Sequence, residues 1–164
     1  MKSRELQTLW WDWLGTSERL LRSLHEQTAA LILRDVGRVE RLQPEINSLT
    51  EKLGSIDAAA VACVIKLAEE LDTEPKLRSL SQALEKAEAQ QLHGLGNRVG
   101  VAARNVQTVI EKNKALLENE MTYVNGTLTL LARTAAVKER GYTGAGRPST
   151  KAAVQVTVAV DTAA

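Results

Sequence analysis

Phenylalanine is absent from this chain, and its 164 residues hold only three tryptophans and two tyrosines. So few aromatics argue against an all-β sandwich or barrel, whose strands lean on aromatic and β-branched residues. They also leave few platforms on which nucleic-acid bases could stack. A single cysteine, Cys63, excludes an internal disulfide and suits a reducing compartment. Neither sign of charge dominates: 21 Lys and Arg stand against 20 Asp and Glu, so no general pull toward nucleic acid or an anionic membrane is expected. The longest apolar run, Ala58 to Ile65, falls far short of the ~20 residues that cross a bilayer. No apolar core follows the charged start Met1-Lys2-Ser3-Arg4-Glu5, so a signal peptide is not expected. A soluble cytoplasmic protein with one ordinary core is the expectation.

What is abundant is Leu, Ala, Glu, Gln and Arg, all good helix formers. The fold class read from this is all-α: an elongated helical bundle, or an antiparallel coiled-coil-like hairpin, with a long C-terminal helix. Domain boundaries fall at 1–140 for the helical part and 141–164 for a flexible Gly/Ala/Thr-rich tail. Leu6, Trp10, Trp13, Ser17, Leu20, Leu24, Gln27 and Leu31 alternate steps of four and three, predicting a first helix over about 3–34, roughly 45 Å long. Asp35 marks a corner. Val36, Val39, Leu42, Ile46, Leu49 and Leu53 predict a second helix, kinked or restarted at Pro44. Gly54-Ser55 reads as a stop followed by a cap, opening a short third helix with Val61, Val64, Ile65, Ala68 and Leu71 inward. Thr73-Glu74-Pro75 reads as a fresh start, with proline in the first turn. About sixty further residues keep helical periodicity, as two helices or one bent helix whose weak point lies near His93–Gly100.

The most informative stretch is Glu111 to Leu131. Leu117, Met121, Val124, Leu128 and Leu131 share one helical face, with Asn113 a turn upstream on the same seam. Such a stripe is buried against something, in this chain's own bundle or in a partner. Gly141 to Pro148 then breaks the helical pattern. Farther on, Val154, Val156, Val158 and Val160 alternate with Gln155, Thr157 and Ala159. That is a strand pattern, read either as a disordered tail or as a strand added to a partner's sheet.

Several apparent motifs fail. Gly94-Leu95-Gly96-Asn97-Arg98-Val99-Gly100 has the wrong spacing for a dinucleotide turn and follows a helical pattern. The segment from Gly141 to Ser149 has Arg147 and Pro148 where a phosphate loop needs Lys and Ser or Thr. His25 and His93 lack partners at metal-ligand spacing, and no nucleophile–base constellation stands out. Neither a catalytic site, a metal nor a cofactor is expected. Trp10 and Trp13 lie on the first seam as core residues; Trp11 points away, either capped by a neighbouring helix or marking a surface. Cys63 reads as a small buried hydrophobe.

Three stretches carry a resemblance to a known family. They are the corner Ala30 to Asp35, the run Asn113-Lys114-Ala115-Leu116-Leu117 with Met121-Thr122-Tyr123-Val124-Asn125, Leu128 and Leu131, and the turn Tyr142-Thr143-Gly144-Ala145-Gly146-Arg147. Together, over roughly residues 3–148, they resemble the FlgN family of flagellar type III export chaperones. The resemblance implies a cytosolic chaperone that binds the C-terminal segments of the hook–filament junction proteins FlgK and FlgL. It would prevent their premature assembly and deliver them to components of the export apparatus, without a cofactor. It implies a client-binding set of Asn113, Leu117, Met121, Val124, Leu128, Leu131 and Tyr142, in a monomer or a homodimer. The Gly-rich middle and the valine-alternating tail are not part of the resemblance. A self-associating coiled-coil adaptor is the alternative reading of the same stripe.

Overall fold

A computed structural model describes residues 2–142, with side chains through residue 136. Among the described residues the protein is all-α, with four helices: α1 (Arg4–Ile32), α2 (Val36–Glu70), α3 (Leu77–Ala83) and α4 (Lys86–Tyr142). The chain divides into two compact units, residues 1–122 and 123–164. The first contains α1, α2, α3 and the first part of α4. The second is described as the rest of α4, through Tyr142. α4 takes in Gly141 and Tyr142, the first two residues of the segment expected to break the helical pattern. The remainder of that segment, residues 143–148, and the alternating valines lie outside the described residues.

α1 follows its predicted seam closely. Leu6, Trp13, Ser17, Leu20, Leu24, Gln27 and Leu31 are all buried, and Trp10 is partly so. The helix ends in a Schellman motif. The Asp35 N–H donates to the Ala30 carbonyl and the Arg34 N–H to that of Leu31, with Arg34 at φ 55. The Asp35 carboxylate then accepts from the Arg38 N–H at 3.0 Å and caps α2. One acidic residue therefore closes the corner from both sides.

α2 returns antiparallel to α1: Asp12 meets Lys52, Arg19 meets Glu45 and Glu26 meets Arg38. These pairs are half exposed, so each adds little to stability. The expected break at Gly54-Ser55 is absent, and α2 runs unbroken through both, and through Pro44 as well. Its true seam is Ile46, Leu49, Leu53, Ile56, Ala60 and Leu67, an alternation of threes and fours that crosses Gly54 without pause. The helix persists because residues on both sides of the glycine are buried in the same groove. Restarting the count at residue 55 displaces the predicted inward face. Val61 and Ile65, expected inside, are exposed, and so is Val36.

After a second Schellman turn, with Asp72 at φ 50, Pro75 stands just before the N-cap Lys76 and not inside the first turn of α3. The break expected near residues 93–100 lies instead at Leu84-Glu85, where the backbone is extended. That turn lets Leu80 of α3 and Leu92 of α4, both fully buried, enter one cluster with Leu6, Ala60, Leu67 and Ala68. A second cluster joins Trp13, Leu14, Leu20 and Leu24 to Ile46, Leu49, Leu53 and Ile56, closed by Leu95 and Val106 of α4.

The part of α4 in the first unit runs parallel to α1, with residue partners offset by 85 to 89 positions at both ends of the contact. At one end Glu88 accepts hydrogen bonds from the Ser3 N–H and hydroxyl, both at 2.6 Å. Near that end Gly96 allows close approach: a Cβ there would lie 2.8 Å from Leu77 Cδ2 and 3.3 Å from Trp10 Cζ3. Gly94, on the other side of α4, faces open space.

The two glycines should therefore respond oppositely. Gly96→Leu is expected to lower stability by about 1–3 kcal/mol through overpacking, whereas Gly94→Ala should raise it by about 0.5–1 kcal/mol through helix propensity. Chemical denaturation of the two variants checks both signs. The hydrogen bonds from Ser3 hold the Glu88 carboxyl below its ordinary value. A depressed carboxyl contributes stability that is complete above the ordinary carboxylate range and is lost as pH falls through the folded value. Unfolding titrations from pH 7 down to 3 should show this loss, and Glu88→Gln should flatten it.

Candidate functional site

The seven residues of the expected stripe do not share one environment. Asn113 is 2 % exposed and faces α1. Its side-chain amide donates to the Leu24 carbonyl and to Gln27 Oε1, each at 2.9 Å, and its carbonyl accepts from the Thr28 hydroxyl. Gln27 donates onward to Gln43 of α2, and Gln43 to Asn47. A chain of amides thus links three helices at one level of the bundle. Asn113, expected in the client-binding set, is engaged instead by α1 of the same molecule, and its bonds hold α4 and α1 in register.

One turn later the environment changes. Leu117 and Met121, in the unit spanning 1–122, are exposed. In the second unit Val124, Leu128 and Leu131 are exposed, at 50 to 59 %. Tyr142 is the last residue of α4, and its side chain lies outside those described. Two residues missing from the expected set, Tyr123 and Leu130, are exposed beside the others. Their seven-residue separation was the available signal; it lies off the main stripe and is easily passed over.

The chemistry of this segment is unusual for an exposed helix. From Met121 to Ala132 there is no charged residue. Its threonines turn their hydroxyls inward on the backbone: Thr122 donates to the Glu118 carbonyl, Thr127 to Tyr123 and Thr129 to Asn125, and just beyond it Thr134 donates to Leu130. Each hydroxyl proton so engaged is unavailable to solvent. Solvated helix faces carry charged side chains, and a helix apolar on most sides is normally enclosed. Exposed apolar patches of this kind mark interaction surfaces.

The remaining candidates resolve otherwise. The Arg98 guanidinium lies 4.7 Å from the centre of the Trp11 ring, so α4 caps that indole as a cation–π pair. The Gly94–Gly100 stretch is helical throughout. Cys63 is only partly buried, and burial pushes its thiol up, away from the reactive thiolate. Among the described residues no three His, Cys, Asp or Glu side chains are placed to hold a metal ion. No helix there is long and apolar enough to cross a membrane.

A helical bundle whose last helix carries exposed apolar side chains along an uncharged stretch belongs to the all-α class. The chain belongs to the FlgN family: the family model described as FlgN protein matches residues 1–150. FlgN proteins are flagellar export chaperones, and this chain has that general role. Neither a curated protein nor a solved structure matches it.

Asn113→Ala leaves the Gln27 and Thr28 groups short of a partner inside the bundle. It should destabilise the protein by about 1–3 kcal/mol, read as a lower midpoint in urea unfolding.

Proposed function

We propose that the chain is a cytoplasmic chaperone for the hook–filament junction proteins FlgK and FlgL, binding their C-terminal segments and delivering them to the flagellar export apparatus. The observation that carries this reading is the uncharged segment of α4, with Val124, Leu128 and Leu131 exposed and its threonine hydroxyls turned onto the backbone. An amphipathic client helix laid along that face follows the helix-in-groove mode of recognition. Leu117 and Met121 extend the contact, and Tyr142 belongs to the same proposed set. Asn113 is left out of direct contact, because its amide is engaged by α1.

Burying each large aliphatic side chain contributes ~1.5–3 kcal/mol, offset by the ordering of both helices. Holding the client by this face keeps its own assembly surface covered until export. The seven-residue recurrence of Tyr123 and Leu130 favours a second reading, self-association of α4 as in a coiled coil. Light scattering on the purified chain separates the two: a monomer that binds client supports the chaperone reading, and a higher oligomer indifferent to client supports the adaptor.

Leu128→Glu places a charge in the middle of the uncharged face. It should weaken binding of FlgK and FlgL C-terminal segments by about a hundredfold or more while leaving the melting temperature unchanged, since Leu128 is exposed. Calorimetric titration gives the affinity, and undiminished binding would sink the reading.

A further inference from the structure

The face of α4 that packs on α1 outlasts α1. Leu95, Val99, Ala102, Val106 and Asn113 meet the bundle core or the α1 backbone. α1 stops at Ile32, and the chain turns at Arg34, whose Nε lies 3.3 Å from the Glu120 carboxylate. That pair places the α1–α2 corner beside the turn of α4 bearing Leu117 and Met121, the next members of the seam, both exposed. The corner itself holds out three large aliphatics: Ile32, Leu33 and Val36 are 62, 72 and 66 % exposed. Corners of this kind ordinarily take Gly, Asn, Asp or Ser. All five residues belong to the unit spanning 1–122.

We propose that this corner is a second part of the client site. An amphipathic helix of the hook-associated client takes on α4 the place that α1 vacates, and its end seats on Ile32, Leu33 and Val36. The inference rests on the reading of α4 as the client-binding helix. The occupant follows from continuity with the α1–α4 interface. The spacing of threes and fours runs on from Val106 through Asn113 to Leu117 and Met121, and the element that covers its earlier part is itself an α-helix. The corner then serves as an end-stop that fixes where the client's end lies beside Leu117 and Met121.

The test uses the full chain and the C-terminal segments of FlgK and FlgL in calorimetric titrations. The double variant Leu33→Ser, Val36→Ser should bind about tenfold more weakly than the unsubstituted chain, with unfolding unaltered because both side chains are exposed. Hydrogen exchange of the unsubstituted chain, with and without client segment, gives an independent reading: slowed exchange at residues 33–38 supports the proposal whatever the variant's stability. Unchanged affinity of the double variant beside lost affinity of Leu128→Glu overturns the corner inference and leaves the chaperone reading intact. Failure of any segment to bind the unsubstituted chain overturns both. A dimer that the corner variant converts to monomer, with client affinity retained, assigns the corner to a second copy and overturns the proposal.

Discussion

The amide of Asn113 sets the relation on which the exposed surface depends. Inside an apolar bundle, unpaired amide groups are costly, so α1 and α4 can slide past one another only by breaking a connected set of hydrogen bonds. The leucines, valines and alanines around it would tolerate several alignments, because one aliphatic contact resembles the next. The Ser3–Glu88 contact fixes the other end of the same helix pair. With register fixed at both ends, the level at which α1 stops against α4 is fixed too. Asn113 thereby decides that Leu117 and Met121 are the first seam residues left exposed.

Two demands meet on α4. Its first part must bury a stripe at home, and its later part, if it serves a client, must keep an apolar stripe soluble and unoccupied. The sequence handles the second demand without charge. Threonines supply polarity in composition while folding their hydroxyl protons onto the preceding turn, and Asn125 and Gly126 separate Val124 from the leucines that follow. A face of this kind resists aggregation less well than a charged one, but it can be covered without desolvating any ion.

Much of the fold was legible in the sequence. The α1 seam could be followed residue by residue because nothing interrupts its spacing. α2 was less legible: Gly54-Ser55 has the local chemistry of a stop, and only the burial of Leu53 and Ile56 in one groove overrides it. The same weighting of glycine placed the break in the Gly94–Gly100 stretch, where Gly96 in fact serves close packing against Trp10 and Leu77. For the surface, periodicity identified the stripe but could not say which members are covered by this chain and which are not. The polar Asn113 among aliphatics was the clue that its level lies inside. The corner aliphatics gave no periodic signal, since a turn has no repeating face.

The position of the three indoles has an optical consequence. Trp10, Trp11 and Trp13 lie within a single turn of α1, beside Gly96 and the Arg98 guanidinium. At 1.5 Å of rise per residue, Arg98 and Leu117 stand roughly 30 Å apart along α4. Tryptophan emission therefore watches one end of the bundle: it follows melting of the core there and is blind to a non-fluorescent peptide arriving beside Leu117.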